Sequence, residues 1–167
     1  VADIDETMDP AKSPFDEVAR VSRLKAEAVC REVDDIVIAA DTIVVCDGQI
    51  LGKPKDKAHA VQMLRLLSGR DHQVMTGVTV LRGETCASCT EVTDIHFRAL
   101  TDKEIDAYVA TGDPMDKAGA YGIQEWIGYC GIEAIEGSFY NVMGLPVQRL
   151  CRELEAFIEA WPECHLG

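Results

Sequence analysis

The sequence predicts an α/β fold in which a mixed sheet is flanked by helices. Two pairs of apolar, β-branched runs, each pair joined by a glycine-containing turn, predict hairpins. Four amphipathic segments that begin with capping residues predict helices alternating with these strands. Such alternation is typical of a single α/β domain, and 167 residues are enough for one domain with a substantial core.

The first predicted elements are a helix and a buried strand. Ser13 and Pro14 suit the start of a helix, and apolar residues at helical spacing extend it to about residue 32. The next apolar run, 38–45, is rich in β-branched residues and predicts a buried strand. Asp47-Gly48 then predicts a hairpin turn into a partner strand.

The middle of the sequence predicts a second helix and a second pair of strands. Asp56 is a suitable N-cap, and Gly69 ends the helical pattern. Alternating residues over 72–81 predict a strand, and a turn leads to a partner strand that runs to Arg98.

The last third combines two predicted helices with a glycine-rich stretch between them. Thr101 and Glu104 form a capping box at the start of a helix that closes at Gly112. Residues 113–144 are rich in glycine and predict mostly turns and short strands. Pro146 begins a final helix that reaches about residue 160.

Charge and hydropathy exclude two classes of partner. A formal net charge of -13 argues against a nucleic-acid polymer, because such a ligand requires a basic face. No apolar run approaches the ~20 residues of a membrane-spanning helix, and no signal peptide pattern is present, so we expect a cytoplasmic protein. A small phosphorylated ligand fits this charge if lysines and a divalent cation concentrate positive charge locally.

Asp41 is the most informative single residue, because it places a carboxylate in the predicted buried strand. An unpaired charge there would lose its hydration, so Asp41 needs a metal ion, a lysine or a proton-transfer role. Lys53 lies beyond the hairpin turn and can face the same cleft as Asp41. This pair suits phosphate chemistry, and a structural ion pair is the alternative.

The cysteines give one further candidate site. Of the seven cysteines, only Cys86 and Cys89 form a C-x-x-C pair. Residues three apart on a strand point to opposite faces, which is poor geometry for a shared metal ion. We therefore expect reduced thiols, and a redox or zinc protein is the alternative that this pair supports.

Seven motifs follow one another along the chain. They are Ile4-Asp5-Glu6, Arg23-Leu24-Lys25-Ala26, Ala40-Asp41-Thr42, Leu51-Gly52-Lys53-Pro54, Leu67-Ser68-Gly69-Arg70-Asp71-His72, the polar loop 113–124 and Asn141-Val142-Met143-Gly144-Leu145-Pro146. In this order the motifs resemble those of the Maf family, the Maf-like nucleoside triphosphate pyrophosphatases first known as septum-formation inhibitors. The resemblance implies an elongated α/β fold with two lobes around a cleft, related to inosine triphosphate pyrophosphatases, and a possible homodimer.

The resemblance also implies hydrolysis of a nucleoside triphosphate to the monophosphate and pyrophosphate with Mg²⁺ or Mn²⁺. In that reaction Asp41 can serve as the base for the attacking water, directly or through a metal. Three lysines can offset the phosphate charge: Lys25, Lys53 and Lys117. Three carboxylates are candidate metal ligands, because Mg²⁺ prefers carboxylate oxygens: Glu6, Asp41 and Asp116. From the residues alone, Lys25 could instead lay its stem along an apolar helix face, and Glu6 could belong to an acidic tail.

Two residues bear on the choice of base. Within the family, the branch that resembles thymidine and uridine triphosphate pyrophosphatases has threonine after the strand aspartate and glutamine in a G-I-Q loop. Thr42 and Gln124 match that pattern. A glutamine amide both donates and accepts, as the edge of uracil or thymine requires. We therefore expect dTTP and UTP as substrates, with modified pyrimidine nucleotides as further ones, in sanitation of the nucleotide pool.

The beginning of the chain departs from the family pattern. Family members open with a strand and a loop of the form S-x-S-P-R-R, whose arginines grip phosphate, whereas this sequence starts at Val1 without that segment. We therefore expect 1–167 to form a single Maf-like domain that lacks its first strand and phosphate-binding loop. A non-catalytic nucleotide-binding protein or cell-division regulator that retains the fold is the alternative function.

Overall fold

The computed structural model describes residues 4–160, so the predicted start at Val1 lies outside the described part. The helices are Pro14–Val29 (α1), Lys57–Leu67 (α2), Asp102–Thr111 (α3), Trp126–Gly131 (α4), Phe139–Val142 (α5) and Val147–Glu159 (α6). The strands are Val37–Cys46 (β1), Gln49–Leu51 (β2), Asp71–Arg82 (β3), Thr85–Phe97 (β4) and Ile132–Glu136 (β5). Two short 3-10 turns, Asp113–Asp116 and Ala118–Ala120, separate α3 from α4.

The five strands form one sheet in the order β2-β1-β3-β4-β5. Every pairing between them is antiparallel. The prediction of helices flanking a sheet is confirmed, but the prediction of a mixed sheet is wrong for residues 4–160. Two of the four pairings are hairpins, which reverse the chain, whereas a parallel pair requires a long crossover connection.

The local signals of the sequence correspond closely to the element boundaries. Asp47 and Gly48 both have positive φ angles, as a two-residue hairpin turn of this kind requires. Thr101 and Glu104 form the predicted capping box, and Asp56 caps α2 through its side chain. Helix α1 ends at Val29, three residues before the predicted end. The prediction for 113–144 missed the short helices α4 and α5.

Helices cover both faces of the sheet. On one face α1 packs across β1 and β3, with Val18 buried against Met75. On the other face the main core joins the sheet to α2 and α3, and includes Leu64 and Ile105. Helix α6 packs its Leu150 and Phe157 against Val78 and Val80 at the far end of β3 on this second face.

The contact between α1 and β3 is unusually close. A Cβ atom at Gly77 would lie 2.4 Å from the carbonyl oxygen of Val18. Beside this contact, Ser22 of α1 and Thr79 of β3 share a buried 2.8 Å hydrogen bond between their hydroxyls. Only glycine at position 77 lets the helix lie this near the strand, so this contact fixes where α1 presents its side chains.

One edge of β1 is left open by this arrangement. β2 pairs only with Val44, Val45 and Cys46, so within the described residues the earlier part of β1 is paired on one side alone, with β3. Side chains on both faces of that segment can therefore reach a common space beyond the strand edge. No helix in residues 4–160 is long and apolar enough to cross a membrane.

Gly77→Ala should destabilise the protein by about 1–3 kcal/mol, the range typical of an overpacked interior. The added methyl group would meet the backbone of α1, which cannot move aside as a flexible side chain would. Urea unfolding followed by circular dichroism measures the change. Gly52→Ala is the matched control, because a Cβ there meets no atom within 4 Å, and it should change stability by less than about 0.5 kcal/mol. Equal stability of the two variants would contradict the close packing of α1.

Candidate functional site

A cleft of about 600 Å³ lies at the open edge of β1. Its walls come from the segment before α1, from α1 and β1, from β2 and the turn after it, from the chain before α4, and from the end of α5 and the two residues after it. All eight residues that the sequence analysis selected line it: Glu6, Lys25, Asp41, Thr42, Lys53, Asp116, Lys117 and Gln124. Residues distant in sequence thus meet in one cleft.

The central feature of the cleft is an ammonium held between two carboxylates. Lys25 Nζ lies 2.7 Å from Asp41 Oδ1 and 3.0 Å from Glu6 Oε1. The side chain of Asp41 is only 10% exposed, that of Lys25 is 24% exposed, and that of Glu6 is 48% exposed. Lys25 therefore compensates the buried charge that Asp41 introduces into β1, and it does more than cover an apolar helix face.

The surroundings shift the pKa of both Asp41 and Lys25, which are partly buried. Burial raises the pKa of the Asp41 carboxyl above its ordinary value, although Lys25 opposes the shift. For Lys25, burial lowers the pKa, but hydrogen bonds to Asp41 and Glu6 outweigh that effect and raise it overall. A carboxylate with a raised pKa is a stronger base, which suits Asp41 to accept a proton from a nucleophile.

A second lysine is fixed on another wall of the cleft. Lys117 Nζ lies 2.7 Å from Asp116 Oδ1 and 2.8 Å from Glu125 Oε1, and it donates a 3.0 Å hydrogen bond to the carbonyl of Asp113. The hydrogen bond from Lys117 lowers the pKa of Asp116. This wall therefore presents an ammonium whose position is determined by three oxygen atoms.

Sequence reasoning missed Glu125, which orders this wall. Its carboxylate accepts a hydrogen bond from the hydroxyl of Tyr108, in addition to the ion pair with Lys117. Gly122 leaves room for both partners, since a Cβ there would lie 2.9 Å from Glu125 and 3.0 Å from Lys117. The only available signal was the position of Glu125 directly after Gln124 in the polar loop.

Sequence reasoning also gave no role to Asn141, although it noted the motif that contains it. The amide of Asn141 is buried and donates to the carbonyl of Val74 and to the hydroxyl of Thr93, at 3.0 and 2.9 Å. Its backbone carbonyl accepts a hydrogen bond from Thr76, whose hydroxyl also meets that of Thr42 at 3.0 Å. This network fixes 142–144, which lines the cleft beside Thr42.

Gln124 and Lys53 are exposed members of the predicted set, as are Glu6 and Asp116. The backbone carbonyl of Gln124 accepts a 2.7 Å hydrogen bond from the hydroxyl of Tyr129, which ties the main chain of this cleft-lining residue to α4. The charge of Lys53 acts on both Asp41 and Asp116: it partly offsets the raised pKa of Asp41 and helps to lower the pKa of Asp116. It adds positive potential between the two walls.

The carboxylates of Glu6 and Asp41 converge on one point, the position of Lys25 Nζ. Two converging carboxylates fit Mg²⁺ or Mn²⁺, since such ions in proteins commonly use one or two carboxylates and complete their shell with water and phosphate oxygens. No three side chains of His, Cys, Asp or Glu within residues 4–160 form a group that could hold a metal ion. Asp116 thus stands apart from the other two carboxylates and pairs with Lys117.

Comparison with known proteins identifies one family and relatives that share one name. A family model described as Maf-like protein matches residues 1–157. A dTTP/UTP pyrophosphatase of Bacteroides thetaiotaomicron is 49% identical over 156 residues, covering 92% of this chain and 80% of that protein. A dTTP/UTP pyrophosphatase of Porphyromonas gingivalis is 51% identical over 159 residues, covering 92% and 77%. One of Escherichia coli is 49% identical over 149 residues, covering 88% and 75%.

A buried histidine behind the cleft wall should make the stability depend on pH. His72 Nε2 lies 2.7 Å from the hydroxyl of Tyr121, which lines the cleft, and burial lowers the pKa of His72 to about 4. The unfolded imidazole takes up a proton near pH 6.5, so stability should fall as pH decreases from about 6.5 to 4. The loss should be about 2–3 kcal/mol in urea unfolding.

His72→Gln should flatten this part of the stability profile, whereas Tyr121→Phe should retain most of it, because burial is the main cause of the shift. Glu17 and Glu104, whose pKa values hydrogen bonds lower to about 2, lose their stabilising effect mainly below pH 4.5 and affect all three proteins alike. His96, whose pKa Asp71 raises, has the opposite sign and is likewise common to all three. An unchanged slope in His72→Gln between pH 4.5 and 6.5 would contradict the assignment.

Proposed function

The chain belongs to the Maf family, and from that premise we propose that it hydrolyses dTTP and UTP to the monophosphate and pyrophosphate. The observation that carries the proposal is the buried Asp41 carboxylate paired with Lys25 in a cleft lined by two further lysines. The proposal agrees with the names of the relatives described above. Modified pyrimidine nucleotides would be further substrates, and removal of such nucleotides from the pool would be the role of the reaction.

Asp41 is the base of the proposed reaction. A water molecule attacks the α-phosphorus of the nucleotide, and Asp41 accepts its proton. The bond between the α-phosphorus and the bridging oxygen to the β-phosphate breaks, and pyrophosphate leaves with the electron pair. In the site without metal, burial raises the pKa of Asp41 and so makes its carboxylate a better proton acceptor than an exposed aspartate, which supports this role.

The three cleft lysines compensate the charge of the triphosphate. Lys117 is already oriented by Asp116 and Glu125, so its position need not change when the ligand binds. Lys53 is exposed and can follow the leaving pyrophosphate. Preorganised cations of this kind stabilise charge that develops on phosphate oxygens during the reaction.

A divalent cation, Mg²⁺ or Mn²⁺, completes the proposed site. Glu6 and Asp41 would hold it, with Asp116 available to a second position nearer the other wall. When bound, such an ion neutralises phosphate charge and polarises the reacting phosphoryl group. The donor set consists of carboxylate oxygens, which favours these hard ions over zinc.

Gln124 is the proposed reader of the base. Its amide offers one donor and one acceptor, which match the alternating edge of thymine or uracil. The hydroxyl of Tyr129 donates a hydrogen bond to the backbone carbonyl of Gln124 and keeps the main chain in place. The side-chain amide can therefore discriminate between bases. Thr42, fixed by Thr76, borders the same cleft.

The finer features implied by the family remain part of the proposal. These are an elongated fold with two lobes around the cleft, one Maf domain for the chain, a homodimer and a place in the cytoplasm, where the nucleotide pool lies. The hydrogen bonds that link Thr42, Thr76 and Asn141 would then lie where the two lobes join.

Asp41→Asn should lower kcat for dTTP hydrolysis by about 10²–10⁴, because the amide keeps the shape of the carboxylate but cannot accept the proton. The assay measures pyrophosphate release from dTTP with Mg²⁺, using the full-length natural protein. Asp47→Asn is the matched control, since Asp47 lies at the exposed hairpin turn that ends the same strand and asparagine tolerates its positive φ. Wild-type turnover in Asp41→Asn would make Asp41 structural and would reject the mechanism.

Gln124→Ala should lower kcat/KM for dTTP and UTP by roughly threefold to tenfold, the effect of one lost hydrogen bond to an uncharged group. Activity with GTP should change little, because a purine does not use that amide. The ratio of kcat/KM values for dTTP and GTP is the measurement, since general destabilisation would lower both alike. Gln49→Ala, in β2, is the control that should leave the ratio unchanged. Equal losses for both nucleotides would mean that Gln124 supports the loop without reading the base.

A further inference from the structure

The ammonium of Lys25 occupies the point on which the Glu6 and Asp41 carboxylates converge. We propose that Lys25 is an exchangeable counter-ion: a divalent cation displaces it from the two carboxylates, and the released ammonium then binds the triphosphate. This inference rests on the proposed function, because it assigns Lys25 a different position before and after the metal binds. Lys25 is thereby a positioning residue for the metal site as well as a phosphate ligand.

The first argument is geometric. Lys25 Nζ uses one oxygen of each carboxylate, Oδ1 of Asp41 and Oε1 of Glu6. A Mg²⁺ ion bound by the same two side chains would need oxygens at about 2.0–2.1 Å. An ammonium and a divalent ion that share these oxygens would stand within a few ångströms of each other, and they would repel strongly in a partly buried site. The two cations are therefore alternatives.

The second argument concerns the charge of the site without metal. Asp41 is 10% exposed and stands beside Glu6, so the two carboxylates would repel each other and lack hydration if no cation lay between them. Lys25 supplies that cation from a different element, α1. The folded protein thus holds both carboxylates on one point, with a cation between them, before the metal arrives.

The third argument is the contrast between the three cleft lysines. Lys117 is held by two carboxylates and a backbone carbonyl, and its carboxylate Glu125 is further fixed by Tyr108. Lys25 is bound only to the two candidate metal ligands among its described partners, and it extends on a flexible stem from a rigid helix. Its release needs side-chain rotation alone, whereas release of Lys117 would disrupt an ordered wall.

The exchange has a consequence for the order of events. Binding of the metal alone breaks both ion pairs of Lys25 and leaves an unpaired ammonium in the cleft, which opposes binding. Binding of the metal together with the triphosphate gives that ammonium a new partner. The structure therefore favours loading of the metal as a complex with the nucleotide, and the metal and nucleotide should each strengthen the binding of the other.

The affinity for metal in the absence of nucleotide tests the proposal. Lys25→Met should bind Mn²⁺ at least about tenfold more tightly than wild type, because no ammonium competes for the carboxylates. Titration followed by electron paramagnetic resonance of free Mn²⁺ measures the affinity and does not depend on catalysis. Lys53→Met is the matched control: it removes the same charge from the same cleft without a direct contact to either carboxylate, and it should change the affinity by less than about threefold.

An affinity of Lys25→Met for Mn²⁺ equal to or weaker than that of Lys53→Met would overturn the proposal, as would failure of all three proteins to bind Mn²⁺.

A second experiment uses only the wild-type protein, so it tests the exchange even if Lys25→Met does not fold. Acetylation of lysines followed by mass spectrometry should show that Mg²⁺ increases modification of Lys25 relative to Lys117. A decrease or no change would overturn the exchange. If wild type does not hydrolyse dTTP but Lys25→Met binds Mn²⁺ more tightly than wild type as expected, the proposed function is rejected and the exchange stands.

Discussion

The ion pair between Asp41 and Lys25 is the interaction on which the rest of the site depends. A carboxylate in the middle of a strand is costly unless a cation lies against it, and Lys25 provides that cation from the neighbouring helix α1. The pair holds only if α1 lies close to the sheet, which Gly77 permits by leaving no side chain between β3 and the backbone of Val18. The packing of one glycine thus determines the electrostatics of the cleft.

The open edge of β1 turns this pair into a site. Asp41 pairs with Gly77 of β3, and Thr42 pairs with Thr76. Because they are neighbours on a strand, the two side chains point to opposite faces of the sheet, yet both residues line the same cleft. The two walls are held independently, one by Lys25 with Glu6 and Asp41 and the other by Lys117 with Asp116 and Glu125. Positive groups therefore face the space from two directions, as a triphosphate with several charges requires.

The sequence predicted those features that depend on local chemistry. The strand carrying Asp41, the turn at Asp47-Gly48 and the capping box at Thr101 each follow from residues within a few positions of one another. No local pattern contains the features that depend on residues far apart in sequence. These are the antiparallel order of the sheet, the contact of Glu125 with Tyr108 and the hydrogen-bond network around Asn141. The short helix α4 escaped prediction because its glycines suggest turns, whereas Gly128 is required by close packing on Ile123.

The position of bond cleavage tests the central claim most directly. If Asp41 activates a water that attacks the α-phosphorus, hydrolysis of dTTP in water labelled with a heavy oxygen isotope places the label in the monophosphate and leaves pyrophosphate unlabelled. Mass spectrometry of the two products after a single turnover measures this. Label in the pyrophosphate, or release of dTDP and inorganic phosphate, would contradict the account.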